Sequence, residues 1–338
     1  MPSAASLAVL AATVLMQDQV PYVMERVEVE RVMLDARILD GRDEPRRDLE
    51  PSNFRVKVDG RLVAVESVHW IDASTPYAEG LPPEHASSVG APQVPRGRLI
   101  VFFFQKDLQP SRAPGLIRMM HEASRMLDSL HPGDLVAVAS FDSHLKLWTD
   151  FTEDREALRH AIKHSILFED RPPEIVEGAF PSLAAAFDPT AALRAATPEK
   201  GLLVLGEALR QLPGAKTLAF FGWGLGRLTP LGVRMEHDYG PAASALLAAR
   251  TTVFSLDVTE ADYHSLEVGL QQVAYDTGGF YARTHDFSAS AMKRLRRALM
   301  GHYILVFERP PLPRGAHRVA VDLVGVSGEV LAKSQYID

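Results

Sequence analysis

The 338-residue sequence contains no cysteine, which excludes disulfides, thiolate metal sites and cysteine nucleophiles. It also lacks a basic excess: 36 Lys and Arg residues are outnumbered by 43 Asp and Glu residues, which argues against a nucleic-acid partner. No P-loop, G-x-S-x-G or H-E-x-x-H motif is present, and the twelve histidines show no convincing ligand spacing. The sequence therefore gives no sign of the enzymes that these motifs mark.

Residues 7–15, LAVLAATVL, form a short apolar run that is typical of the core of a secretory signal. The run is too short to cross a bilayer as a helix, and no later stretch is long and apolar enough. We therefore interpret residues 1–24 as a leader segment and expect an exported protein, periplasmic or extracellular, with no membrane span in the mature chain. The alternative is an ordinary N-terminal segment of a cytoplasmic protein, because no basic residue precedes the run.

Both ends of the remaining chain have the alternating pattern of half-buried strands. Phe54, Val56 and Val58 alternate with polar residues, and a tight Asp59-Gly60 turn follows them. Residues 25–72 and 309–338 each hold too few such strands to close a core. We therefore predict one small antiparallel β-sandwich built from these two segments. Residues 73–97, rich in Pro, Gly, Ala and Ser, predict a linker.

Residues 98–308 alternate between apolar runs and helical patterns. Continuous apolar runs suit strands that are buried on both faces of a parallel sheet. The four clearest runs are residues 98–104, 135–141, 216–221 and 251–256. This alternation predicts an α/β domain with a doubly wound, mostly parallel, Rossmann-type sheet and helices on both faces. We expect residues 302–308 to be the last strand of that sheet, and residues 168–200 to be an insertion over one face.

The order and spacing of these segments resemble a von Willebrand factor A domain, and more narrowly the bacterial VWFA-related family. The segments that carry the resemblance are RLIVFFFQKD, HPGDLVAVASFDSHLKLWTDFTEDREAL, ALRQLPGAKTLAFFGWG, ARTTVFSLDV, VAYDTGGFYAR and GHYILVFE. The resemblance implies a metal-ion-dependent adhesion site at the carboxyl edge of the sheet. Its ligands would be an Asp-x-Ser-x-Ser motif after the first strand, a threonine from a later loop, and an aspartate after a further strand.

This sequence departs from that ligand pattern at each position that can be placed. Gln105 stands at the first aspartate, Asp107 and Gln109 stand at the two serines, and Trp223 stands at the later aspartate. Because one carboxylate offsets the dehydration of a divalent cation poorly, we predict a degenerate site with no metal and no cofactor. The alternative is a rearranged Mg²⁺ site that recruits Asp107 with Asp142 or Asp257. The loop that carries the threonine ligand falls near residues 197–203, but the sequence does not identify a ligand residue there.

The prediction for function is a non-catalytic protein–protein interaction or adhesion-type module. It would bind a protein partner through the carboxyl edge of the sheet, around Gln105, Asp107, Gln109 and Trp223. Trp223 would either anchor the partner or plug the vacated metal pocket, because aromatic residues do both. Two alternatives remain open. One is an enzyme that uses the strand-end aspartates as acid–base groups. The other is a structural subunit of an envelope assembly.

Overall fold

The computed structural model describes residues 30–72, 97–168, 171–173 and 181–338. The predicted leader at residues 1–24 and the predicted linker, apart from Gly97, lie outside the described residues. The strands, numbered along the chain, are β1 (Arg31–Leu39), β2 (Phe54–Val58), β3 (Arg61–Val63), β4 (Val65–Asp72), β5 (Leu99–Gln105), β6 (Leu135–Phe141), β7 (Leu145–Thr152), β8 (Lys216–Gly222), β9 (Arg227–Thr229), β10 (Gly232–Arg234), β11 (Thr251–Asp257), β12 (Tyr281–Arg283), β13 (Gly301–Glu308), β14 (Ala316–Leu323), β15 (Glu329–Ala332) and β16 (Gln335–Ile337).

The α-helices pack mainly on the α/β part of the chain. They are α1 (Ala113–Leu127), α2 (Arg155–Leu167), α3 (Leu183–Ala186), α4 (Pro189–Leu193), α5 (Pro198–Arg210), α6 (Tyr239–Ala248), α7 (Glu267–Thr277) and α8 (Ser288–Ala298). Among the described residues, every helix is too short or too polar to cross a bilayer.

A six-stranded sheet forms the centre of the α/β domain, in the order β12-β11-β8-β5-β6-β7. All neighbours are parallel except β6 and β7. Counted along the chain within this sheet, the order is 3-2-1-4-5-6, which is a doubly wound arrangement. Every residue of β5 is buried, so the predicted central strand is confirmed. Its continuous apolar run reflects a position with two neighbours and two covered faces.

Helices cover both faces of this sheet. On one face α1, α2 and α8 share an apolar cluster with Phe102 and Phe104. On the other face α5, α6 and α7, with the short α3 and α4, pack around Phe103. Alternate residues of β5 thus serve opposite cores, because successive strand side chains point to opposite faces. In the core that contains α1, α2 and α8, the rings of Phe104 on β5 and Phe221 on β8 stack with their centroids 4.6 Å apart.

Strands from both ends of the chain form two further sheets, both antiparallel. Their orders are β15-β1-β13-β4 and β16-β14-β2-β3. One apolar cluster draws on both sheets, with Leu34 and Phe307 from the first and Val56 and Tyr336 from the second. Each of these sheets contains strands from both the N-terminal and the C-terminal segment, since β1 pairs with β13 and β15, and β2 pairs with β14.

The prediction that residues 302–308 end the parallel sheet is wrong. β13 pairs antiparallel with β1 and β4, and the parallel sheet ends at β12. The C-terminal half of the antiparallel part thus begins at Gly301, and the α/β domain ends with α8. The error has a physical cause: β13 is a central strand buried on both faces, and such a strand has a continuous apolar run in either kind of sheet.

A charged cluster lies where the antiparallel sheets meet the α/β domain. Asp35 of β1 is buried and accepts hydrogen bonds of 2.5 and 3.2 Å from Arg250, which follows α6. Lys333 Nζ and His302 Nε2 each lie 3.7 Å from the same carboxylate. Burial opposes ionisation of Asp35, but Arg250 and Lys333 hold the pKa of its carboxyl group well below its usual range. The joint therefore contains more cations than anions.

Lys216 belongs to the same joint, and it forms no salt bridge with a carboxylate of the described residues. Its Nζ donates to the carbonyls of Gly214 and Ala249 at 2.7 and 2.8 Å. Burial, with a smaller contribution from Arg250, lowers the pKa of Lys216 to about 7. Burial likewise lowers the pKa of Lys333 to about 8.

Candidate binding site at the carboxyl edge of the sheet

The loops that follow β5, β6, β8, β11 and β12 meet at the carboxyl edge of the parallel strands, and we call this surface the top face. Ligands of doubly wound sheets usually bind there. The predicted site residues Gln105, Asp107, Gln109, Trp223, Asp142 and Asp257 all lie at this edge. They form three separate groups, with Gln105, Asp107, Gln109 and Trp223 in the first and the two other aspartates in groups of their own.

Gln105 is the last residue of β5, and its side chain is almost fully buried. Its Oε1 accepts hydrogen bonds from the backbone N–H groups of Trp223 and Gly224, at 3.0 and 3.3 Å. These two donors fix the orientation of the amide, because only its oxygen can accept them. Its Nε2 is left without a hydrogen-bond partner among the described residues. Gln105 therefore braces the loop after β8.

Asp107, Arg112 and Trp223 form a layered group at the centre of the top face. Asp107 Oδ1 accepts from the backbone N–H of Gln109 at 2.9 Å, and Oδ2 pairs with Arg112 Nη1. The Arg112 guanidinium carbon lies 3.7 Å from the centroid of the Trp223 ring, which is a close cation–π contact. The positive charge beside Asp107, the one carboxylate at a predicted ligand position, is thus the Arg112 side chain. Sequence reasoning missed Arg112.

Gln109 contributes its backbone to this group. Its carbonyl accepts from the N–H groups of Arg112 and Ala113, both at 2.9 Å, and this turn leads into α1. Its side chain is exposed and makes no hydrogen bond to the rest of the described chain. The N-terminus of α1 lies at the top face, where the positive end of its helix dipole favours negative charge.

Asp142 forms the second group, in the loop after β6. Lys146 donates to its Oδ2 at 2.6 Å, and the backbone N–H of Ser143 donates to its Oδ1. Partial burial opposes ionisation, but the hydrogen bonds from Lys146 and Ser143 and the Lys146 charge together lower the pKa of Asp142 to about 2. Asp142 is thus an ionised carboxylate with a cation of its own.

Asp257 forms the third group, at the end of β11. It accepts hydrogen bonds from Tyr281 Oη at 2.8 Å and from the Thr259 backbone at 2.9 Å, and it lies 2.7 Å from His264 Nε2. Its neighbour Glu267 is buried and accepts hydrogen bonds from Arg283 and from Tyr281 Oη. Burial opposes ionisation of Asp257, but the hydrogen bonds with His264, Thr259 and Tyr281 together lower the pKa of its carboxyl group. This network ties together the loops after β11 and β12.

Two groups of side chains in the described chain have spacing that suits a metal ion. One contains Asp257, His264 and Glu267, and the other contains Asp262, His285 and Asp286. Neither group contains Asp107 or Asp142. In the first group the partners just described already occupy the carboxylates, and Arg283 lies 2.7 Å from Glu267. A cation entering there would displace a guanidinium.

The predicted threonine-loop region begins α5. Thr197 Oγ1 accepts from the Lys200 backbone N–H at 3.2 Å and caps the helix. Glu199, two residues on, is buried, and its carboxylate accepts from the Gly226 N–H. Burial raises the pKa of Glu199. Glu199 therefore fixes the base of the β9–β10 hairpin, a role that the sequence did not reveal.

Exposed apolar side chains surround the central group. The large ones at the top face are Leu108, Leu167, Phe168, Leu228, Leu231, Tyr263 and Phe287. Leu231, at the tip of the β9–β10 hairpin, is fully exposed. Lys106 Nζ donates to the Phe168 carbonyl at 2.9 Å, which ties the end of α2 to the end of β5. One further feature was missed: His160 and His164, four residues apart on α2, stack at 4.0 Å.

No protein-family model matches the chain, and no curated protein matches it. Several solved structures are similar to it. A von Willebrand factor type A protein from Catenulispora acidiphila is 11% identical, with 86% of this chain and 75% of that chain covered and a TM-score of 0.41. The PilB minor pilin from Streptococcus sanguinis is 12% identical, with 60% and 62% covered and a TM-score of 0.38. Proximal thread matrix protein 1 from the mussel byssus is 13% identical, with 60% and 47% covered and a TM-score of 0.40.

The chain spans 62% of the pilin and 47% of the mussel protein, so it corresponds to a part of each. Its α/β domain has a doubly wound sheet with helices on both faces, which is the fold that the sequence resemblance to von Willebrand factor A domains implies.

Proposed function

We propose that this protein is a non-catalytic interaction module that binds a protein partner through its top face without a divalent cation. The observation that carries the proposal is the Arg112 guanidinium, which lies between the Asp107 carboxylate and the Trp223 ring. A divalent cation bound to Asp107 would have to displace this guanidinium, and the other predicted residues of this group, Gln105, Gln109 and Trp223, supply no second carboxylate. Hard cations of this kind need more than one carboxylate in a dry site.

The non-catalytic part of the proposal rests on the separation of the acidic groups. Asp107 is paired with Arg112, Asp142 with Lys146, and Asp257 with His264 and Tyr281. A general acid and a general base act on one substrate, so they must reach the same reacting atoms. Asp107, Asp142 and Asp257 lie in separate groups, so they do not form the shared acid–base pair that the alternative enzyme prediction needs.

The choice of a protein as partner rests on the apolar rim of the top face. Leu231 is fully exposed, and Leu228, Tyr263 and Phe287 are more than half exposed. Because ligands of doubly wound sheets bind at this edge, these exposed apolar side chains are the candidate contacts for a protein partner. An exported protein, as the N-terminal run predicts, would meet such a partner outside the cytoplasm.

The test is photo-cross-linking of the full chain with a benzoylphenylalanine placed at Leu231, in an envelope extract from the source cells. The matched control carries the same group at Leu62, an exposed leucine of β3 in the antiparallel part. Both are irradiated in chelator and in millimolar Mg²⁺. We expect a discrete adduct from position 231 in both buffers, and none from position 62. An adduct that needs Mg²⁺, or equal labelling from both positions, would refute the proposal.

A further inference from the structure

The centre of the top face has an excess of hydrogen-bond donors. Gln105 Nε2 and Trp223 Nε1 are both buried, and neither has a hydrogen-bond partner among the described residues. A buried donor without an acceptor costs about 1–3 kcal/mol, so such donors often mark a ligand or water position. Gln105 holds the backbone of Trp223, and the Trp223 ring holds Arg112. The two unused donors therefore belong to residues of one group.

Arg112 itself has unused donors. Of its five side-chain N–H groups, only one at Nη1 donates to another described residue, which is Asp107. One fifth of the side chain is exposed, so solvent reaches the guanidinium edge while its face lies on Trp223. A guanidinium held flat on an aromatic ring presents its remaining N–H groups in a fixed fork. That fork matches the two oxygens of a carboxylate.

The local charge is also positive. Arg112 and Lys106 carry two positive charges against the single negative charge of Asp107, and Lys106 has no carboxylate partner among the described residues. The N-terminus of α1 adds the positive end of a helix dipole. One monoanionic carboxylate would balance this excess. A phosphate dianion would exceed it and would lie close to Asp107.

We infer that the top face contains a carboxylate-binding site, in which Arg112 binds an acidic side chain of the protein partner directly. Trp223 is the platform that orients the guanidinium, and Lys106 supplies the second positive charge. The inference rests on the proposed function and names the chemistry of its partner. In this site the chain itself supplies the positive charge and the hydrogen-bond donors, whereas in a metal site the chain supplies oxygen acceptors to a bound cation.

The test uses the three tryptophan indole N–H groups of the full chain, observed by ¹⁵N NMR. Trp148 Nε1 donates to Ser140 at 2.8 Å and Trp70 Nε1 donates to Asp72 at 3.5 Å, so both serve as internal controls beside Trp223. The probes are acetyl-Leu-Glu-Leu-amide and the same peptide with Gln in place of Glu. We expect the Trp223 signal to shift saturably with the Glu peptide, which binds about tenfold more tightly than the Gln peptide.

Two variants separate this site from a structural role of the same residues. Arg112→Gln should abolish the preference for Glu over Gln. Asp107→Asn should strengthen binding of the Glu peptide several-fold, because it removes the internal carboxylate that competes for Arg112. In both variants, unshifted Trp70 and Trp148 signals report an intact fold.

Equal binding of the two peptides, weaker binding by Asp107→Asn, or a requirement for Mg²⁺ would overturn the inference. So would a Trp223 shift with inorganic phosphate but none with the Glu peptide. If cross-linking at position 231 succeeds and the Glu peptide fails, the proposed function stands and the carboxylate site is rejected. If the Glu peptide binds and no adduct forms at position 231, Arg112 still binds carboxylates, but the proposed function is rejected and with it the assignment of that carboxylate to a protein partner.

Discussion

Replacing Lys216 with methionine should remove most of the pH dependence of stability between pH 6 and pH 9. Lys216 is 3% exposed and lies in the joint between the antiparallel sheets and the α/β domain. Methionine has a similar length and no charge. The change therefore tests one property of this joint, the cost of burying a lysine that forms no salt bridge among the described residues.

The sign follows from proton binding in the two states. Burial lowers the pKa of Lys216 to about 7 in the folded protein, whereas an unfolded lysine titrates near ~10.4. Between these values the unfolded state holds more protons, so the free energy of unfolding rises with pH across this window. Below pH 7 the lysine is charged in both states, and the folded state carries the full cost of burying that charge.

The magnitude follows from the width of the window. Each unit of pKa difference corresponds to about 1.4 kcal/mol. Over the range from pH 6 to pH 9, Lys216 should contribute about 2.5 kcal/mol of increasing stability, and Lys333, whose pKa is lowered to about 8, about 1.5 kcal/mol. The variant should keep only the second contribution. The carbonyls of Gly214 and Ala249 lose their donor in the variant, but this loss is the same at every pH.

The assay is urea unfolding at pH 6, 7, 8 and 9, followed by tryptophan fluorescence. The control is Lys163→Met, on the exposed side of α2, which should keep the pH slope of the wild type. If Lys216→Met retains that slope as well, the buried lysine is not its source and the reasoning fails.

Three further predictions concern the metal, the joint and the core. Millimolar Mg²⁺, Mn²⁺ or Ca²⁺ should leave the thermal unfolding midpoint at its value in chelator. A ligand that binds the native state raises this midpoint, so a saturable rise that Asp107→Ala abolishes would refute metal-free binding. Asp35→Asn should lower the free energy of unfolding by about 3 kcal/mol, because Arg250 and Lys333 lose the carboxylate with which they pair. Urea unfolding measures this loss, and an unchanged midpoint would contradict it. Phe104→Ala should cost about 3–5 kcal/mol in the same assay, whereas exposed Phe287→Ala should cost little.

Much of the fold was predictable because burial leaves a direct trace in the sequence. The β5 run is apolar throughout because both of its faces are covered, and Phe54, Val56 and Val58 alternate because one face of β2 is covered. β13 was assigned to the wrong sheet for the same reason, since its apolar run shows burial but not the identity of its neighbours.

The centre of the top face was only partly predictable. Gln105, Asp107 and Trp223 were found because they follow apolar runs, and strand ends meet at one edge. Arg112 was missed because neither of its contacts leaves a sequence pattern. Asp107 lies five residues before it, and Trp223 lies in the loop after a different strand, β8. Glu199 and Gly226 were missed because a contact between a helix start and a loop leaves no periodic pattern.

The split antiparallel part has a consequence for how the chain folds as it leaves the ribosome. β1 pairs with β13 and β15, so Arg31 has no partner across the sheet until Glu308 has been synthesised. The α/β sheet needs none of these strands, and its six members emerge together between the two halves. Domains fold as units during synthesis, and pairings between distant segments come late. β1, the first strand among the described residues, is therefore among the last of them to be paired, because both of its edges wait for strands made near the end of the chain.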